Sequence, residues 1–112
     1  MNAYQIETTT VFVGGVTTTL LKGSFGAPAG GDEIAKTVAA RMAELENEHG
    51  QLALWNGPAT VVASFAVGHV LAHRFGAVGV YDPKLLGYVV AVSHDPERPV
   101  GDIIPESAVT SG

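Results

Sequence analysis

The sequence has no cysteine. A disulfide framework and a thiolate-held metal are therefore excluded, which agrees with a reducing compartment. It also lacks any apolar run near the roughly 18 residues that a membrane helix needs. The opening MNAYQIETTT has neither the basic stretch nor the apolar core of a signal peptide, so the cytoplasm is the expected location and no membrane contact is expected. Basic residues are scarce, six Lys and Arg against eleven Asp and Glu, for a formal charge of -5. With so few cations to release counterions, sequence-independent binding of duplex DNA is not expected. A small anion held by backbone amides stays open.

The 112 residues suit one domain with one modest core, and a 46% hydrophobic content with 14 glycines describes a globular, turn-rich chain. The β-branched stretches 3–13 and 16–24 flank Gly14-Gly15, a strong two-residue hairpin signal. Two TTT runs, 8–10 and 17–19, are expected to face each other across that hairpin and are read as β propensity. After a Gly- and Pro-rich loop over 24–31, residues 30–50 read as an amphipathic helix. Asp32 is the expected N-cap, Ile34, Val38, Met42 and Leu45 the apolar stripe, and Gly50 the stop. A buried strand over 51–57 leads through Asn56-Gly57-Pro58 into a second helix, about 59–75, which is apolar nearly all round and fit to lie on a sheet or a partner subunit. Strands over 76–82 and 87–94 are continuously apolar and call for cover on both faces. The expected architecture is a single α/β domain over 1–112 in the order ββαβαββ, either Rossmann-like or ferredoxin-like.

The chemistry-bearing residues sit at element ends. Asn56, Gly57 and Pro58 lie where a strand meets a helix, the place where α/β sheets gather ligands and helix N-termini favour anions; a plain turn explains them equally. The segment lacks the glycine pattern of a dinucleotide or phosphate loop. His69 and His73 are four apart on the second helix, on one face, but HVLAH has no Glu for the zinc-protease motif. They are either packed, hydrogen-bonded imidazoles or metal ligands. Asp82-Pro83 starts a turn, a common structural use of Asp. His94 ends the next strand beside Ser93 and Asp95, where it can be an acid, a base or a metal ligand. His49, among Glu44, Glu46 and Glu48, is a solvated helix-end residue.

Only the stretch from Pro83 to Gly87 joins the last two long strands, and a parallel crossover takes a dozen or more residues, so they pair antiparallel. Asp82 and His94 then stand at opposite ends of a hairpin, roughly 20 Å apart. They either do unrelated jobs or meet in a site assembled between subunits.

AHRF followed by VGVYDPKLLGYVVAVSH and VGDII resembles the small CRISPR-associated Csx-type nucleases, a manganese-dependent ring nuclease family. In that family a helix ending in AH precedes V-x-V-Y-D-P-R-L-G, a strand, S-H and G-D-V-I. The resemblance covers roughly residues 57–104. It implies a relative of the CARF domain acting in type III CRISPR immunity: a homodimer, or a tetramer or filament with ligand, that cuts cyclic tetra-adenylate or trims RNA 3′ ends with Mn²⁺. By the same resemblance Asp82 and His94 are catalytic and Lys84 stands at the family's Arg. That exchange keeps a positive charge for phosphate but loses the bidentate fork. His73 matches the His of the AH motif, and with His94 is the expected metal-binding pair. Asn56, Gly57 and Pro58 are expected to hold the ligand. Two family features are missing: the main catalytic His has no counterpart around Gly76-Ala77, and Leu54-Trp55 replaces a Ser-Gly. A sensor or sponge that holds the ring uncut is therefore the alternative expectation, and a structural oligomer-forming domain without ligand a third.

Overall fold

A hairpin opens the chain because Gly14 and Gly15 both adopt positive φ, 56° and 81°, as a two-residue turn matched to strand twist requires. In the computed structural model, which describes residues 2–111, this hairpin joins β1 (Tyr4–Val13) to β2 (Val16–Phe25). Then come α1 (Gly31–Glu44), β3 (Gly50–Asn56), α2 (Val61–Arg74), β4 (Phe75–Asp82), β5 (Gly87–Ser93), β6 (Ile103–Pro105), a short 3-10 turn at 106–108 and β7 (Val109–Thr110). The strands form one mixed sheet in the order β6-β5-β4-β3-β2-β1-β7. Pairs β2/β3 and β3/β4 are parallel and the rest antiparallel.

The expected α/β class and ββαβαββ order are present, but the winding differs from both named architectures. Strands β2, β3 and β4 follow one another in space as in sequence, so two successive crossovers step the same way, and both helices pack together on one face. A doubly wound sheet needs a reversal of direction to put helices on both faces, and this order has none. Nor is it the βαββαβ order of a ferredoxin-like domain.

Cover on the second face comes from the sheet itself. Residues 103–110 pair with β5 through β6 and, one short turn later, with β1 through β7, so a single segment bridges both edges. The sheet curls around a core of strand residues alone: Val11, Leu20, Leu52, Leu54, Ala77, Tyr88, Val90 and Ile104 among them. The other core lies under the helices, where Ile34, Val38 and Met42 of α1 and Ala63, Val67 and Leu71 of α2 meet Leu21, Ala53, Trp55 and Val78.

Several local expectations are corrected. Gly30, not Asp32, is the N-cap of α1; Asp32 and Glu33 lie in the first turn, where their charge complements the helix dipole. The helix ends at Glu44, with Leu45 as C-cap, because Arg74 of α2 donates a hydrogen bond to the Leu45 carbonyl. Gly50 does not stop it but opens β3 under the ring of Phe75. In α2 the start is set by Thr60, whose Oγ1 accepts the Ala63 N–H at 3.0 Å. The TTT runs meet only at their ends, where Thr10 pairs with Thr19: Thr8 and Thr9 face Leu21 and Leu20, and Thr17 and Thr18 face Phe12 and Val11.

Candidate functional site

Parallel pairing brings the carboxyl ends of β3 and β4 side by side, with Trp55 level with Val80 and Asn56 level with Lys22 of β2. An open cleft of about 440 Å³ lies there, lined by Asn56, Gly57, Pro58, Ser64, Tyr81 and Pro83 over a floor that includes Trp55. The turn that forms one wall is clamped on both sides. Gly57 has φ 113°, and a Cβ there would stand 2.2 Å from the Gly23 carbonyl oxygen of β2. The Pro58 carbonyl accepts a 2.6 Å hydrogen bond from the Tyr4 hydroxyl of β1. Burial pushes the Tyr4 phenol up to about 12, which keeps it a donor through the physiological range. The first turn of α2, next along the chain, carries no acidic residue to cancel its positive end.

A line of side chains ties Asn56 and Tyr81 of the cleft lining to Tyr88 of the strand-only core and to Glu106. Asn56 Nδ2 donates to the Tyr88 hydroxyl at 2.9 Å, Tyr88 meets Tyr81 edge-on with ring centres 5.2 Å apart, and the Tyr81 hydroxyl donates to Glu106 Oε2 at 2.7 Å. The Tyr81 phenol is raised chiefly by that carboxylate. The Tyr88 phenol is raised by burial, against the lowering effect of the Asn56 hydrogen bond. Both remain neutral near pH 7 and offer hydroxyl groups, not phenolates. The Tyr pair could be read from the sequence once the turn over 82–87 was set, because Tyr81 and Tyr88 are then direct cross-strand partners. Glu106 could not, since its position depends on how the last segment crosses the sheet edge.

Asp82 and Lys84 lie at this same end, in the β4–β5 turn. The Asp82 Oδ1 accepts the Lys84 backbone N–H at 2.9 Å, the turn-capping use of Asp, and Lys84 itself is exposed. His94 is at the other end. Its backbone N–H donates to the Gly76 carbonyl at 2.7 Å, and its ring Nε2 stands 3.2 Å from the carbonyl oxygen of Ala72, near the end of α2. Since Ser93 pairs with Ala77, five residues before Asp82, roughly 17 Å of strand separates the two ends. His73 shares the far end with His94, on the exposed face of α2, its ring edge-on to His69 at 4.9 Å. The sequence-derived residues thus fall into two groups: Asn56, Gly57, Pro58, Asp82 and Lys84 around the cleft, His73 and His94 at the opposite rim. Among the described residues no three His, Asp or Glu side chains are grouped to hold a metal.

Comparison with known proteins gives one match. Residues 50–105 fit the family model described as CRISPR-associated protein (Cas_csx3), half of the chain, from the start of β3 to the end of β6. The matched stretch contains every residue discussed in the two groups above. Comparisons with curated proteins and with solved structures give no match. With half its length covered by the family model, this chain belongs to the Cas_csx3 family of CRISPR-associated proteins.

Proposed function

We propose that the protein binds cyclic oligoadenylate, with cyclic tetra-adenylate the first choice, and cuts it at a site completed between subunits, as a CARF-related ring nuclease that ends type III CRISPR signalling. The observation that carries this reading is the cleft at the carboxyl ends of the parallel strands, beside the start of α2. Its apolar walls, Trp55, Pro58, Val80 and Pro83, suit a flat base, and its amide and hydroxyl groups suit a ribose phosphate. Lys84 at the rim adds the one positive charge of that turn.

The separation of Asp82 from His94 is the reason for a shared site. In cleavage the base, His94 of one subunit, takes the proton of a ribose 2′-hydroxyl as its oxygen attacks phosphorus. The O2′–P bond forms, the P–O5′ bond breaks and a proton passes to O5′, leaving a 2′,3′-cyclic phosphate and a 5′-hydroxyl. Asp82 of another subunit orients the attacking ribose, and Lys84 offsets charge on the phosphate. For Mn²⁺ the described residues of one chain do not suffice: among them no carboxylate is grouped with the imidazoles of His73 and His94 into a set of three ligands. No step is therefore derived through the metal, which enters as a variable of the assay.

A second reading, a sensor or sponge that holds the ring uncut, is favoured by the engagement of both reactive groups. Asp82 Oδ1 caps its own turn and His94 Nε2 faces the Ala72 carbonyl. The test incubates radiolabelled cyclic tetra-adenylate with wild type, Asp82→Asn and His94→Ala, with and without Mn²⁺, alongside native gels. Asp82→Asn keeps a side-chain oxygen for the turn cap while removing the charge. Cleavage lost in each variant but restored when the two are mixed supports a shared catalytic site. Binding without product supports the sensor, and neither binding nor product overturns both.

A further inference from the structure

We propose that His69 and His73 form a metal-binding pair on the exposed face of α2 and take one late first-row divalent cation, Ni²⁺, Cu²⁺ or Zn²⁺, per chain. Four residues apart, the two lie one above the other on the helix. Both are exposed, so neither is an imidazole packed into the core. Their rings nevertheless meet edge-on, with centres 4.9 Å apart.

That spacing is the one a shared cation requires. With an imidazole nitrogen about 2.1 Å from a metal and the ring centre roughly 1.1 Å behind it, each centre stands about 3.2 Å from the ion. Two such rings are then about 4.5 Å apart when they subtend a right angle and about 5.2 Å apart at the tetrahedral angle. The observed 4.9 Å falls between the two. The Cβ–Cγ axis of each histidine runs through its ring, so turning about it aims a nitrogen inward and leaves the ring centre in place. A cation therefore closes the pair without moving the helix.

The surroundings suit a positive ion. His73 lies in the last turn of α2, at the negative end of the helix dipole. Arg74, next in the chain, directs its guanidinium to the Leu45 carbonyl at the end of α1. The donors select the metal: among the described residues no carboxylate joins the two imidazoles in a set of three, and nitrogen ligands without oxygen favour Ni²⁺, Cu²⁺ and Zn²⁺ over Mn²⁺. His94 is not a member, since its ring Nε2 is held 3.2 Å from the Ala72 carbonyl oxygen. Two protein ligands leave the other coordination positions to water, so the ion is exchangeable, unlike one in a closed four-ligand structural site. Neither histidine lines the cleft, and the test needs no nucleotide, so the pair stands or falls independently of the ring nuclease reading.

The chain without any tag has four histidines, so each can be replaced in turn. Isothermal titration calorimetry with NiCl₂ should give a single site per chain, and MnCl₂ should bind at least about tenfold more weakly. His69→Gln and His73→Gln should each weaken Ni²⁺ about tenfold or more, whereas His49→Gln and His94→Gln should change it less than about twofold. Free Ni²⁺ at about a hundred times its dissociation constant should raise the melting temperature by roughly 10 °C. That rise should vanish in the His69→Gln/His73→Gln double variant, whose two changes are on the exposed helix face and leave the far-UV circular dichroism as in wild type. Substoichiometric Cu²⁺ should broaden the ring signals of His69 and His73 before those of His49 and His94 in a proton spectrum. No binding up to about 1 mM Ni²⁺, or Mn²⁺ bound as tightly as Ni²⁺, overturns the proposal. Affinity lost in His73→Gln and His94→Gln but kept in His69→Gln does the same and moves the metal to the other pair, and an equal loss in all four variants reduces it to unspecific imidazole binding.

Discussion

Replacing glycine with alanine should have opposite consequences at Gly57 and Gly68, and the difference can be worked from the backbone. Gly57 sits at φ 113°, and an added Cβ would approach the Gly23 carbonyl oxygen to 2.2 Å and its nitrogen to 2.9 Å, both main-chain atoms of β2 that no rotamer change can move. A forced backbone of this kind costs on the order of 1–3 kcal/mol before the contact is counted, so about 3 kcal/mol or more is expected in total. Gly68 lies within α2, and a Cβ there meets nothing within 4 Å. Alanine in a helix interior should gain up to about 1 kcal/mol. For a chain of this size each kcal/mol moves the melting temperature by about 4 °C. Gly57→Ala should thus melt about 12 °C lower than wild type and Gly68→Ala up to about 4 °C higher. Thermal and urea unfolding, followed by far-UV circular dichroism, measure both. A Gly57→Ala protein within about 0.5 kcal/mol of wild type, the range of neutral surface changes, would refute the clamped turn and with it the fixed wall of the cleft.

Three other outcomes follow from the structure. Leu54→Ala should cost about 2–5 kcal/mol in urea unfolding, because Leu54 is fully buried in the strand-only core; a loss under about 1 kcal/mol would mean the sheet does not curl around that side. Stability should fall as pH rises from 10 to 12: the unfolded chain gives up the Tyr4 proton near 10 and the folded chain only near 12. The contribution is complete below pH 10 and amounts to as much as about 3 kcal/mol. Tyr4→Phe should reduce that slope, leaving the part due to the raised Tyr81 and Tyr88 phenols, while costing about 1 kcal/mol at neutral pH for the lost hydrogen bond to Pro58, and an unchanged alkaline slope in Tyr4→Phe contradicts the assignment. Glu106→Gln should bring the Tyr81 phenol back toward its ordinary value, since that carboxylate is the leading cause of its rise; ultraviolet titration reads this, and an unshifted curve in the variant rules the contact out.

Local chemistry was legible wherever a short stretch sufficed. Gly14-Gly15 specified the hairpin, the spacing of Ile34, Val38 and Met42 specified the buried face of α1, and the short link after Asp82 specified an antiparallel pair. From that last inference the separation of Asp82 and His94 followed before any coordinates, as did the grouping of Asn56 with a strand end. Helix limits were less legible, because they depend on contacts from elsewhere: Arg74 closes α1 at Leu45, a choice no window around Gly50 records.

The sequence by itself determined the strands, helices and turns, and through YDPKL, SH and GDII it pointed to the family, because periodicity, turn preference and motif spacing act over a few residues at a time. Only the tertiary structure decided the winding of the sheet, the second core inside its curl, and the Asn56–Tyr88 and Tyr81–Glu106 contacts that tie the cleft lining to distant segments. Each of these depends on which distant segments meet. Residues 103–110 lie at the end of the chain yet fix both edges of the sheet, and nothing in their local pattern says which strands they will join.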